Sequence, residues 1–105
     1  MNDRKVYKSF LSKSIYMDNW SDVEIKGKIL HKLTRAGKFE ASHTAIENLQ
    51  KGFPKDLVGR VKELLQELKK EGILLPKKTN YGEQVSINLQ KKEKVLAYIE
   101  IFLKK

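Results

Sequence analysis

Hydrophobic positions along this chain recur at two spacings, one helical and one alternating. Ile25, Ile29, Leu30, Leu33 and Ala36 fall on one face of a helix, and the spacing predicts a helix over about 22–36. Ser21 followed by Glu24 matches a capping box, Asp22 suits a helix N-terminus, and Gly37 supplies the stop. Lys26 falls on the apolar stripe and is expected to snorkel its ammonium to water. KFEAS, residues 38–42, reads as short and extended. Ser42 then caps a second helix over about 43–51, with Ala45, Ile46 and Leu49 inward and Gly52 as its end. Phe53-Pro54 makes a corner into a third helix over about 54–71. There Leu57, Val58, Val61, Leu64, Leu65 and Leu68 lie within roughly 120° of one another on a wheel, and Gly72 follows.

Beyond Gly72 the period changes. Val85, Ile87 and Leu89 alternate with Ser86 and Asn88, the pattern of a half-buried strand. Asn80 to Gly82 offers turn chemistry for a hairpin, and Pro76 puts the first strand of that hairpin at an edge. Helical spacing returns over 91–103, where Val95, Leu96, Tyr98, Ile99, Ile101, Phe102 and Leu103 wrap most of the circumference. At the other end Val6, Tyr7, Phe10 and Leu11 form a helix-like stripe within 3–13. The elements predict a mainly α chain with a small β-hairpin, an α+β class. It divides into an N-terminal extension (1–20), a core (21–90) and a terminal helix (91–105).

Composition narrows what such a domain does. The 105 residues suffice for one core, no apolar run is long enough for a membrane span, and the N-terminus has no apolar export signal. Cysteine is absent, which removes disulfides and thiolate metal sites and fits a cytoplasmic protein. The 22 Lys and Arg against 13 Asp and Glu give +9, an excess that favours a polyanionic partner. Summed by segment, that charge is spread along the chain, so its total weighs little by itself.

Chemistry-bearing motifs are few. There is no phosphate-binding glycine loop, no dinucleotide fingerprint and no nucleophile elbow, so no catalytic residue and no cofactor are expected. His43 and Glu47 are spaced i, i+4, but no third ligand follows, and His31 sits on the outer face of the first helix; no metal site is expected. Trp20, Tyr7, Phe10 and Tyr16 suit packing over the core or an interface, or stacking on unpaired bases.

The order helix, short strand, helix, tight turn, helix, hairpin, helix over about 22–103 resembles the winged helix-turn-helix superfamily. Within it the chain resembles small archaeal winged-helix proteins of unassigned target. Ile29, Leu30 and Leu33 look like the core of the family's first helix. Val58, Val61, Leu64, Leu65, Leu68, Gly72, Ile73 and Leu74 look like its recognition helix and the exit into the hairpin, and TNYGEQVSINL looks like the wing. The resemblance implies a winged helix-turn-helix with an N-terminal extension and a C-terminal helix, the 54–71 helix lying in the major groove of double-stranded DNA and the wing (76–84) on the backbone.

On that reading Lys55, Arg60 and Lys62 project toward phosphates or base edges, with Arg60 as the bidentate fork. Lys77, Lys78 and Tyr81 form the basic wing, and Thr44 lies where the amides of the second helix would hold a phosphate. Gly59 occupies the pole opposite the apolar face with Glu63, Gln66 and Lys70. Interior glycine costs a helix about 1 kcal/mol, and a bare backbone there lets the helix seat closely against a groove. Asp56 and Glu63 depart from a basic face, and Glu67 is expected to pair with Lys70. The apolar terminal helix exceeds what so small a domain buries, so a homodimer through Val95, Leu96, Tyr98, Ile99 and Phe102 is expected; the alternative is that the two termini cover each other. The leading expectation is a DNA-binding transcriptional regulator. Its rivals are a winged-helix protein-interaction module and an RNA-binding accessory protein.

Overall fold

The computed structural model describes residues 20–105, so the stripe at 3–13 and Tyr7, Phe10 and Tyr16 of the extension lie outside the described residues. Three α-helices and a three-stranded antiparallel sheet follow in the order α1 (Asp22–Arg35), β1 (Thr44–Ala45), α2 (Val58–Lys70), β2 (Leu74–Thr79), β3 (Gly82–Ile87) and α3 (Lys92–Leu103). Single 3-10 turns occupy Ile46–Leu49, Lys55–Leu57 and Leu89–Lys91. The sheet order is β1-β3-β2, a layout compatible with a winged helix. Among the described residues no helix is long and apolar enough to cross a membrane.

Helix α1 starts and stops where its local chemistry dictates. The Ser21 hydroxyl accepts from the Glu24 amide at 3.1 Å, and the Glu24 carboxylate accepts from the Ser21 amide at 2.8 Å. That amide holds the Glu24 carboxyl below its ordinary pKa. At the other end Gly37 takes φ +68°, the Lys38 amide reaches back to the Leu33 carbonyl at 2.9 Å and Gly37 to Thr34 at 3.0 Å. Gly72 closes α2 with the same two bonds, Ile73 to Leu68 and Gly72 to Lys69, each 3.0 Å. Ile25, Ile29, Leu30 and Leu33 of α1 and Val61, Leu64, Leu65 and Leu68 of α2 make the centre of the core with Ile73, Leu74, Val85 and Ile87.

The hairpin forms, but β3 does not alternate as expected: Ser86 is buried, its hydroxyl donating to the Glu40 carbonyl at 2.7 Å, and Leu89 lies exposed in the 3-10 turn beyond the strand. The hairpin's register pairs Leu74 with Ile87 and Thr79 with Gly82 around the two-residue turn Asn80-Tyr81, and Pro76 sits on the outer strand. The segment 43–51 does not form the expected helix. Thr44 and Ala45 pair instead with Val85 and Gln84, and only one 3-10 turn follows. A nine-residue helix is below the length that sustains itself, whereas β3 offers an open edge to a β-branched threonine. Ser42 therefore caps no helix; its amide donates to the Phe39 carbonyl at 2.9 Å.

Two further expectations are corrected by packing. Lys26 does not snorkel: it is 7% exposed, with its ammonium 2.9 Å from both Glu67 and Glu71 of α2. Glu67 consequently pairs with Lys26 and not with Lys70. Burial alone pushes the Lys26 pKa down, but the hydrogen bonds it donates to Glu71 and Glu67 and the charge of Glu71 outweigh it and hold it above the ordinary lysine value. The Tyr98 hydroxyl donates to the other Glu71 oxygen at 2.8 Å, which ties α3 into the same cluster.

The terminal helix is part of the core. Val95 and Ile99 are buried, and Phe102 packs against Trp20 and His31 with ring centroids 6.3 Å and 5.6 Å away. Of the five residues expected at a dimer interface, Val95, Ile99, Tyr98 and Phe102 are thus engaged within the chain, and Leu96, 60% exposed, is left outward. The crossing of α1 and α3 is close because residue 27 is glycine: a Cβ there would stand 2.7 Å from the Phe102 Cβ and closer still to the Tyr98 carbonyl oxygen.

Candidate nucleic-acid interface

Helix α2 exposes Gly59, Lys62, Glu63, Gln66 and Lys70, while the buried leucines hold its other face. Apart from its chain neighbours and the helix's own backbone, nothing lies within 4 Å of where a Gly59 Cβ would stand, so this stretch of backbone faces open space. Lys55 and Asp56 are exposed in the 3-10 turn before the helix, and Leu57 turns inward between them and the first α-helical turn. Lys62, Glu63 and Gln66 border a shallow groove of about 360 Å³ whose other walls are Ile46, Gln50 and Glu83.

Arg60 is placed differently from the expectation. Its guanidinium turns back to Asp22 in the first turn of α1, with Nε 2.6 Å from the carboxylate and Nη2 also in contact. Any fork toward a base would have to leave this exposed pair. Thr44 lies in β1, where its hydroxyl accepts from the Asn48 side chain at 3.0 Å, so no helix N-terminus stands there to hold a phosphate.

The hairpin projects from the sheet with Lys77, Lys78 and Tyr81 exposed, Tyr81 at its tip being 97% accessible. Lys77 is opposite Gln84 and Lys78 opposite Glu83, so the two lysines point from opposite faces of the ribbon. Lys69 and Glu83, 2.5 Å apart, tie the C-terminal half of α2 to the turn end of the hairpin. The surface between α2 and β3 is therefore mixed in sign. Glu63 and Glu83 border the groove, and the Glu47 carboxylate lies 3.9 Å from the Cβ position of Gly82.

One positively charged surface of the described residues was not among the expected sites. Lys28, Lys32 and Arg35 recur at i, i+4 and i+7 on α1 and, with His31, Lys51 and Phe102, line a depression of about 670 Å³. Segment totals concealed this ridge, because Asp22 and Glu24 in the same helix offset it; a wheel of the charges alone would have shown it. Lys28 donates to the Gly52 carbonyl at 2.8 Å, and Lys32 to those of Asn48 and Lys51 at 2.6 and 3.3 Å. His31 and His43 join no cluster: among the described residues there is no group of three or more His, Cys, Asp or Glu that could hold a metal ion. No protein-family model, curated protein or solved structure matches the chain.

Proposed function

We propose that this chain is a winged helix-turn-helix protein that binds double-stranded DNA, with α2 in the major groove and the β2–β3 hairpin on the backbone, and acts as a transcriptional regulator in the cytoplasm. The observation that supports this most is the juxtaposition of a helix whose outward backbone is bare at Gly59 with a hairpin whose exposed residues are Lys77, Lys78 and Tyr81. Lys55, Lys62, Lys70, Lys77 and Lys78 would neutralise phosphates, and Arg60 contributes little because Asp22 occupies it. Five such contacts give a log–log salt slope of about −4.5 for duplex binding, and each lysine removed flattens it by about 0.9. Binding to duplex DNA, single strands and structured RNA, titrated against salt, tests the proposal. A duplex slope that flattens in Lys62→Ala and Lys78→Ala supports it, and absence of duplex binding at low salt sinks it. The carboxylates Glu47, Glu63 and Glu83 favour a second reading, in which the same face docks a basic protein segment.

We also propose a homodimer, on a narrower stripe than the sequence suggested. Leu96 and Leu103 are 60% and 61% exposed and lie a heptad apart on α3. A two-fold axis at Leu96 would set Lys92 of one copy against Glu100 of the other, an isologous match within one stripe. Sedimentation equilibrium of Leu96→Glu should give a monomer where the parent gives a dimer. A monomeric parent at all concentrations refutes the interface.

A further inference from the structure

We propose that the depression between α1, the 48–53 turn and the C-terminal end of α3 is a binding site for a small organic phosphate. Lys28, Lys32, Arg35 and Lys51 surround it, and no carboxylate lines it among the described residues. Glu24, one turn before Lys28, is occupied by the Ser21 amide and by Lys105 at 3.6 Å. This sets the depression apart from the α2–hairpin face, where Lys69 and Arg60 already have acidic partners. The site shares no residue with that face, so it stands or falls independently of duplex binding.

The donors suit a phosphate. Lys28 spends one ammonium hydrogen on the Gly52 carbonyl and keeps two for a ligand, Lys32 keeps one, and Arg35 contributes a planar fork. Those backbone bonds also fix the ammonium groups, which lowers the ordering cost of binding. Burial, and then the charge of Lys32, push the Lys28 pKa down, as expected for a positive site lacking its counter-ion. The opposite wall is apolar, made by Ala36, Phe102 and Leu103, with Trp20 stacked on Phe102 just beyond. A ligand that fills both walls carries a phosphate at one end and a ring or short apolar group at the other. The volume of about 670 Å³ falls within the range for such molecules.

Trp20 is the sole tryptophan and stands 5.3 Å from the Lys28 ammonium, which makes it the reporter. The full chain is titrated at low salt with pyrophosphate, with a nucleoside monophosphate and with a short single-stranded oligonucleotide, following Trp20 emission. Saturable responses to pyrophosphate and, more tightly, to the nucleoside monophosphate are expected. Arg35→Gln with Lys51→Gln should weaken both by roughly tenfold per cation, with little change in thermal melting because both side chains are exposed and the Lys32 bonds to the 48–51 turn are kept. Lys62→Ala with Lys78→Ala should leave both unchanged. Absence of a saturable response to either small phosphate, or a response to the oligonucleotide alone, overturns the proposal. So does equal weakening by the two double variants.

Discussion

Gly27→Ala and Gly59→Ala make the same chemical change in two helices and should have opposite effects. Alanine in place of an interior glycine stabilises a helix by about 1 kcal/mol. Gly59 is the second residue of α2, so the gain there is smaller than in a helix interior, but nothing opposes it, because the added methyl enters open space. At Gly27 the methyl would stand 2.7 Å from the Phe102 Cβ and 3.0 Å from the Tyr98 carbonyl carbon, with the carbonyl oxygen nearer still. Ordinary contact between such atoms is about 3.5–4.0 Å, so α1 and α3 must separate by about 1 Å. Backbone of α3 cannot rotate aside as a side chain tip can. Overpacking of this kind costs about 3 kcal/mol at the upper end of its usual range, which leaves Gly27→Ala destabilised by about 2 kcal/mol. At about 4–8 °C per kcal/mol for a domain this size, the melting temperatures of the two variants should move in opposite directions and lie more than about 10 °C apart. Urea denaturation followed by Trp20 fluorescence suits the measurement, since Trp20 stacks on Phe102 of α3 and reports its docking. Unchanged or raised stability in Gly27→Ala would refute the close crossing.

Three other variants examine the polar framework. Lys26→Met leaves Glu71, 27% exposed, without its cation, and should cost about 2 kcal/mol, less than the 3–5 typical of a fully buried pair because Glu67 keeps half its surface in water. The pKa of Lys26 is raised, so its contribution is present below the ordinary lysine pKa and is lost as pH rises through the folded value. Burial raises the Glu71 pKa, but the Lys26 and Tyr98 bonds outweigh it and lower it, so its contribution is present above the ordinary carboxylate pKa and is lost as pH falls. Urea midpoints across pH should therefore show both limbs in the parent and shallower ones in Lys26→Met. Ser21→Ala removes the hydroxyl cap on the Glu24 amide and should lower stability by about 1 kcal/mol in thermal melts. Arg60→Ala breaks an exposed pair with Asp22 and should lower the stability measured by urea denaturation by less than about 1 kcal/mol; a larger loss would mean that the pair anchors α2 to α1.

Helices α1 and α2 were legible because a stripe at helical spacing, a capping residue and a terminal glycine are local properties of Ser21, Glu24, Gly37 and Gly72. The hairpin was legible for the same reason, through the turn at Asn80 to Gly82 and the apolar Val85 and Ile87, but the burial of Ser86 and the exposure of Leu89 were not. The segment 43–51 was misread because its conformation depends on the edge of a strand some forty residues away. Within the candidate site, the exposed lysines of α2 and of the hairpin stand where the pattern put them. Arg60 and Thr44 do not, since each found a partner that no local spacing announces.

The two glycines and Lys26 mark the limit of what the chain declares by itself. Residue spacing determined which faces are apolar, where helices begin and end, and that a hairpin follows α2, all consequences of neighbours within a few positions. Only the tertiary structure decided that Lys26 is buried against two carboxylates and that Gly27 is the indispensable glycine. It also decided which stripe of a helix apolar nearly all round meets the core. Those outcomes depend on what another element presents across the gap, and a wheel drawn for one helix contains no information about its neighbour.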